Sequence, residues 1–160
     1  MPKLNPKISP FLWFDTQAED AARLYTSVFK NSSIGAITRY GDAGPGPKGS
    51  VMTVSFELEG QPFVALNGGP VFKFTEAVSF AVNCESQEEV DHFWNRLLEG
   101  GQESQCGWLK DRFGLSWQIV PTALSKLMQD PDPEKSRRMM QAMFKMKKLD
   151  IAELEKAHRG

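Results

Sequence analysis

The chain has 160 residues, 41% of them apolar and 24% charged, with a formal net charge of −1. That balance suits one domain with a real core, or two small modules sharing one, and it supplies no global field for nucleic acid or an anionic membrane surface. Its longest apolar runs, such as FLWF (11–14), fall far short of the ~20 residues a bilayer-spanning helix needs, and MPKLNPKISP lacks the apolar region of a secretory signal.

Alternation and short apolar runs predict strands over 8–14, 33–40, 50–58 and 62–67 in the first half. A helix over about 18–29 separates the first two and turns Ala21, Leu24, Tyr25, Val28 and Phe29 inward. In VMTVSFEL, Met52, Val54, Phe56 and Leu58 share one face, because strand side chains alternate. The loop GDAGPGPKGS (41–50) does not match a phosphate-binding loop, and its prolines remove backbone N–H groups such a cradle would use. It reads as a mobile hairpin loop, long enough to cover a cleft. LNGGPVFKFTEA (66–77) then leads the chain out of the first half. Here Asn67, at a strand end, and Phe72 form either an anchored linker or the rim of an aromatic pocket with one polar group.

The second half offers strands over 76–83, 104–110 and 115–120. A helix over 86–99 presents Val90, Phe93, Trp94, Leu97 and Leu98 and stops at Gly100-Gly101. Past Pro121 the character changes. Asp132-Pro133-Glu134 is a helix start, with Asp at the cap and Pro at the first helical position. The helix that follows carries an apolar band of Met139, Met140, Met143, Phe144 and Met146, read as a docking face that completes the core or a subunit contact. A further short helix starts at Asp150.

An internal repeat organises this order. A shift of 69 residues lays FDTQAEDAARLYTSVF (14–29) over NCESQEEVDHFWNRLL (83–98), with Leu24-Tyr25 on Phe93-Trp94 and Phe11 on Phe80. The expected organisation is one domain over 1–123, built of two modules (8–69 and 74–121), followed by a helical extension over 124–160.

The chemistry on offer is sparse. His92 and His158 are the two histidines, without a His-x-His or Glu-x-x-His spacing, so a metal site with several nitrogen ligands is not expected. Cys84 and Cys106 sit 22 residues apart without a CxxC pattern and read as reduced thiols in a cytoplasmic protein. Cys106 is a candidate nucleophile; Lys110, four residues on in the expected strand and so on the same face, is its nearby help. Asp111 and Glu76 are candidate acid–base groups. Trp13, Asn67, Phe72, Trp108, Trp117 and Gln118 are the candidates for a cleft with aromatic walls. Trp117 is adjacent to Gln118, so the two point to opposite faces and only one lines that cleft.

WFDTQAEDAARLYTSVF (13–29), ITRYG (37–41), FVALNGGPVFKFTEAVSFAVNC (63–84) and QCGWLKDRFGLSWQIVP (105–121) resemble the PhnB-like branch of the vicinal oxygen chelate superfamily, which includes glyoxalase I, bleomycin-resistance proteins and extradiol dioxygenases. The resemblance implies an α+β fold: two βαβββ modules as curved mixed sheets around a concave cleft, with the C-terminal helices added, and a homodimer. It places Gln118 inside the cleft. The four strand positions that hold a metal in the superfamily's metalloenzymes fall here on Ser9, Ala65, Ala77 or Val78, and Gln118, which is no ligand set for a first-row metal. Members of the branch are often described as 3-demethylubiquinone-9 3-methyltransferases. No strand here leads through a glycine-rich turn into a helix to seat such a cofactor, so none is expected. Two readings follow: a protein that binds a small, partly aromatic or hydrophobic ligand, or a metal-independent enzyme using Cys106, Asp111 or Glu76. Neither involves nucleic acid or a membrane.

Overall fold

The computed structural model describes residues 6–160, and the chain falls into two compact units, the first ending at Lys73 and the second spanning Phe74–Gly160. The first unit runs β1 (Phe11–Phe14), α1 (Ala18–Val28), β2 (Ser33–Arg39), β3 (Val51–Leu58) and β4 (Gln61–Asn67). Its sheet has the order β1-β4-β3-β2, with β1 parallel to β4 and the other neighbours antiparallel. Glu59 and Gly60, both at positive φ (52° and 83°), close the two-residue turn between β3 and β4. Alternation sends Leu12, Phe14, Val54, Phe56, Leu58, Phe63 and Ala65 to one buried face. Tyr25 of α1 and the stacked pair Phe56–Phe63, 5.2 Å between centroids, form the centre of that layer. Each large side chain so buried contributes roughly 1.5–3 kcal/mol of transfer free energy. The opposite face stays open: Trp13, Thr53, Ser55, Val64 and Leu66 are half-buried and Phe11 is exposed.

The second unit repeats the pattern with β5 (Ser79–Cys84), α2 (Gln87–Leu98), β6 (Gln102–Glu103), β7 (Trp108–Lys110) and β8 (Ser116–Pro121). The strand order, β5-β8-β7-β6, and the parallel edge pair β5/β8 reproduce the first unit's topology. α2 begins in a reciprocal cap: Ser86 Oγ accepts from the Glu89 N–H (3.1 Å), and the Glu85 N–H donates to Glu89 Oε2 (3.4 Å). Val90, Phe93, Trp94 and Leu97 of α2, with Leu109, Trp117 and Ile119 of the sheet, make the buried layer.

Three expected strands are corrected. The first starts at Phe11 rather than residue 8, and β5 starts at Ser79 because Glu76-Ala77 form a turn. The strand expected over 104–110 is a hairpin, with β6 and β7 joined by a turn at 104–107. Cys106 (φ 58°) and Gly107 (φ 85°) are left-handed there, which a strand cannot accommodate.

The extension is helical from β8 onward: α3 (Thr122–Met128), α4 (Pro133–Met143) and α5 (Ile151–Arg159). Asp132 and Asp150 cap α4 and α5 as their sequence positions dictate, accepting from the Glu134 and Glu153 N–H groups at 2.9 and 3.0 Å. Met139, Met143, Leu149 and Leu154 form a small core with Leu124, Leu127, Met140, Met146 and Cys106 packed against it, while Phe144 lies outside, 60% exposed. No helix among the described residues is long and apolar enough to cross a membrane.

Candidate functional site

The first unit gathers part of the expected aromatic set. Trp13 stands on the open face of β1, its Nε1 donating to the Gly69 carbonyl at 2.9 Å. The Phe72 ring meets it edge-on at 4.9 Å. Gly68 passes directly beneath the indole, where a Cβ would lie 2.4 Å from the ring, so only glycine permits that approach. Asn67 belongs to the other face. It shares parity with Phe63 and Ala65, and both ends of its amide are engaged: Oδ1 accepts from the Ala18 N–H (2.8 Å) and Nδ2 donates to the Val51 carbonyl (3.1 Å). It therefore closes the start of α1 and is separated from Trp13 by the sheet. Asn67 also lines a groove of about 460 Å³ with Tyr40, Asp15, Asp20 and Pro47. Tyr40 had no role in the sequence reading, yet its hydroxyl donates to the Asn67 carbonyl. The 41–50 loop folds onto its ring, with the Gly49 N–H donating to the Tyr40 carbonyl at 2.8 Å.

In the second unit the alternation resolves the Trp117–Gln118 pair. Trp117 lies in the buried layer with Leu109 and the α2 side chains, and its Nε1 donates to Asp111 Oδ2 at 2.9 Å. Gln118 points to the open face, directly across from Trp108 on β7. Its amide donates to Ser79 Oγ at 2.9 Å, which fixes the side chain against β5. Lys110, two residues from Trp108, shares that face and pairs with Glu76. This pairing lowers the Glu76 pKa, through the hydrogen bond to Lys110 first and its charge as well. Trp108, Lys110, Ser116, Glu76, Gln102 and Glu103 line a pocket of about 170 Å³. Lys110, Ser116 and Glu103 were not singled out as pocket residues from the sequence; the available signal was the common parity of Trp108 and Lys110.

The remaining catalytic candidates do not share this pocket. Asp111 is 3% exposed, and its Oδ1 accepts from the Phe113 and Leu115 N–H groups at 2.8 and 3.1 Å, so its carboxylate organises the 111–115 turn and anchors Trp117. Cys106 sits in the β6–β7 turn and packs against the methionine core of the extension. The expected Cys106–Lys110 partnership across one strand face is thus not formed. Cys84 is buried, and desolvation, aided by Glu89, pushes its thiol up to about 12.

The superfamily's metal finds no fit. Ala65 is fully buried on the α1 side of its strand, and Ser9, Ala77 and Val78 lie outside the strands. Gln118 and its partner Ser79 supply one amide and one hydroxyl, too weak a set for a first-row metal. No three His, Cys, Asp or Glu side chains converge among the described residues.

Comparison with known proteins places this geometry. A family model described as 3-demethylubiquinone-9 3-methyltransferase matches residues 6–120. A Bacillus cereus protein described as a 3-demethylubiquinone-9 3-methyltransferase, PhnB protein, is 37% identical, with a TM-score of 0.67 over 73% of this chain and 100% of its own. A Pseudomonas aeruginosa protein at 22% identity shares the fold, with a TM-score of 0.61 over 73% of this chain and 98% of its own. So does the fosfomycin resistance protein FosX of Listeria monocytogenes at 14% identity, with a TM-score of 0.56 over 79% of this chain and 99% of its own. No curated protein matches. With most of its length matched by the family model and its two βαβββ units each built on a four-stranded mixed sheet, the chain belongs to the 3-demethylubiquinone-9 3-methyltransferase family, the PhnB-like branch of the vicinal oxygen chelate superfamily.

Proposed function

We propose that the protein binds a small, partly aromatic molecule on the open face of its second sheet, without a metal and without methyl transfer. The observation that carries this reading is Trp108: a half-buried indole on the open face that lines a pocket together with polar side chains able to orient a ligand, Lys110, Glu76 and Ser116 among them. The strand-to-helix connections argue against a nucleotide-type methyl donor. They read Asp15-Thr16-Gln17 and Glu85-Ser86, with no glycine to admit a phosphate or ribose and acidic residues in place of an anion cradle. Metal-independent catalysis would have to use Glu76, and its lowered pKa is that of an exposed ion pair with Lys110.

Binding is read by fluorescence titration of the full chain with indole, benzyl alcohol, benzoate and benzylamine. At least one should bind saturably, and Trp108→Ala should weaken that binding about tenfold or more while shifting Tm by only a few degrees, as loss of one stacked ring implies. Binding unchanged in Trp108→Ala would end the proposal. In this reading the protein acts as a cytoplasmic homodimer. Its two thiols are free, and Ile8, Phe11 and Phe72 leave apolar surface on the first unit. A monomer at micromolar concentration in sedimentation would remove the dimer and leave the binding reading intact.

A further inference from the structure

Ser116 is 1% exposed, yet its Oγ has no hydrogen-bond partner among the described residues. Buried hydroxyls are nearly always satisfied, so an unmatched one behind a pocket wall is a donor that rotation of its side chain about χ1 would offer to a ligand atom. Ser116 stands directly across from Lys110 in the β7–β8 register, and both belong to the open face. The Lys110 ammonium has three donors and pairs with Glu76, which leaves donors to spare. Neighbouring positions on one face thus carry an O–H and an N–H donor, and donors call for an oxygen acceptor.

Three further observations narrow the class. The pocket, at about 170 Å³, is close in size to the roughly 150 Å³ cavity that admits a benzene ring. Trp108 and Lys110 are two residues apart on one strand, a spacing of about 6.6 Å, which spans a ring stacked on the indole and an acid group on that ring. Both carboxylates of the wall have a lysine partner, Glu76 in Lys110 and Glu103 in Lys147 at 3.7 Å, so the wall carries no net negative charge to repel an acid.

We propose that the pocket takes a monocyclic aromatic acid, its ring against Trp108 and its acid oxygens accepting from Lys110 Nζ and Ser116 Oγ. This rests on the binding reading above and names its ligand class. The test is calorimetric titration of the full chain with benzoate, its neutral analogue benzamide, and benzylamine. Benzoate should bind about tenfold or more tighter than benzamide, as a charge-assisted hydrogen bond implies. Lys110→Met should abolish that preference, and Ser116→Ala should reduce it several-fold. If Lys110→Met does not fold, the benzoate-to-benzamide ratio in Ser116→Ala decides, and an unchanged ratio overturns the assignment. Benzylamine binding tightest would refute the acid class while leaving an aromatic site. No saturable binding by any ring compound would instead defeat the binding reading itself.

Discussion

Asp111 offers the sharpest test of how the second sheet is held. One oxygen of its carboxylate accepts from two backbone N–H groups of the turn that follows, and the other accepts from the Trp117 indole. Asp111→Asn is nearly isosteric, but asparagine has only one acceptor oxygen. The two backbone donors claim it, so the new NH₂ faces the Trp117 N–H. The variant loses a charge-assisted hydrogen bond and leaves a buried donor unmatched, effects of about 1.5–3 and 1–3 kcal/mol that overlap in part. A loss of about 3 kcal/mol is expected, or roughly 6–12 °C in Tm for a chain of this size. Trp117→Phe removes the indole donor and with it the donor–donor conflict. Asp111→Asn should therefore cost about 1.5–3 kcal/mol less in the Trp117→Phe background than in the wild type. Urea unfolding followed by circular dichroism measures all four proteins without relying on tryptophan emission. Costs that add to within about 0.5 kcal/mol would show that the indole–carboxylate bond does not carry the load assigned to it.

Asn67→Ala should cost about 1–2 kcal/mol, read by thermal denaturation, because the Ala18 N–H at the start of α1 loses its acceptor. An unchanged Tm would return Asn67 to the list of ligand contacts. For Cys84, burial raises the pKa from 9.0 to about 12, so the native thiol stays protonated at pH 8 and iodoacetamide should label Cys106 far ahead of it. The stabilisation linked to this shift is fully present below about pH 9 and is lost as pH rises toward 12; mass spectrometry showing Cys84 labelled as fast as Cys106 in native protein at pH 8 would contradict the burial argument.

The elements that rest on a period were legible in the sequence. Both long helices of the sheets and most strands fall within a residue or two of their expected bounds, because their apolar spacing is what buries them. Alternation also separated Trp117 from Gln118, but the choice of Gln118 for the open face came from the family resemblance and not from the period. The 104–107 turn was not, since Cys106 takes a left-handed conformation that its residue type does not announce. Asn67 shows a different failure. Its amide suggested a ligand contact, but counting parity from Phe63 and Ala65 assigns it to the helix side, and the nearest unmet need there is the α1 N-terminus. The Lys110–Ser116 pair lay beyond sequence reasoning, because it depends on the length of the 111–115 turn. That Ser116 Oγ lacks a partner among the described residues is a property of the whole packing and of no single residue.

The helical extension also bears on the pocket. The family model ends at residue 120, and the Bacillus cereus structure spans only 73% of this chain, so the three C-terminal helices lie outside the family model's span. They are fastened to the hairpin that carries Trp108. The Cys106 and Gly107 N–H groups donate to the Met146 and Lys147 carbonyls at 2.8 and 2.7 Å, and Lys147 pairs with Glu103 on the pocket wall. The Gln87 amide grips the same segment from α2, donating to the Leu149 carbonyl and accepting from the Ile151 N–H. At Gly107 a Cβ would meet the Ile119 carbonyl at 2.9 Å and the Leu149 side chain at 3.1 Å, so the turn is closed in between the sheet and the extension. Trp108 follows directly. A backbone held on both sides leaves little freedom for the indole that the pocket depends on, and the outer of those two holds comes from the extension. Relatives built on the same sheet without these helices must position the equivalent wall by other contacts. Shared sheet topology is therefore weak ground for assigning this chain their ligands.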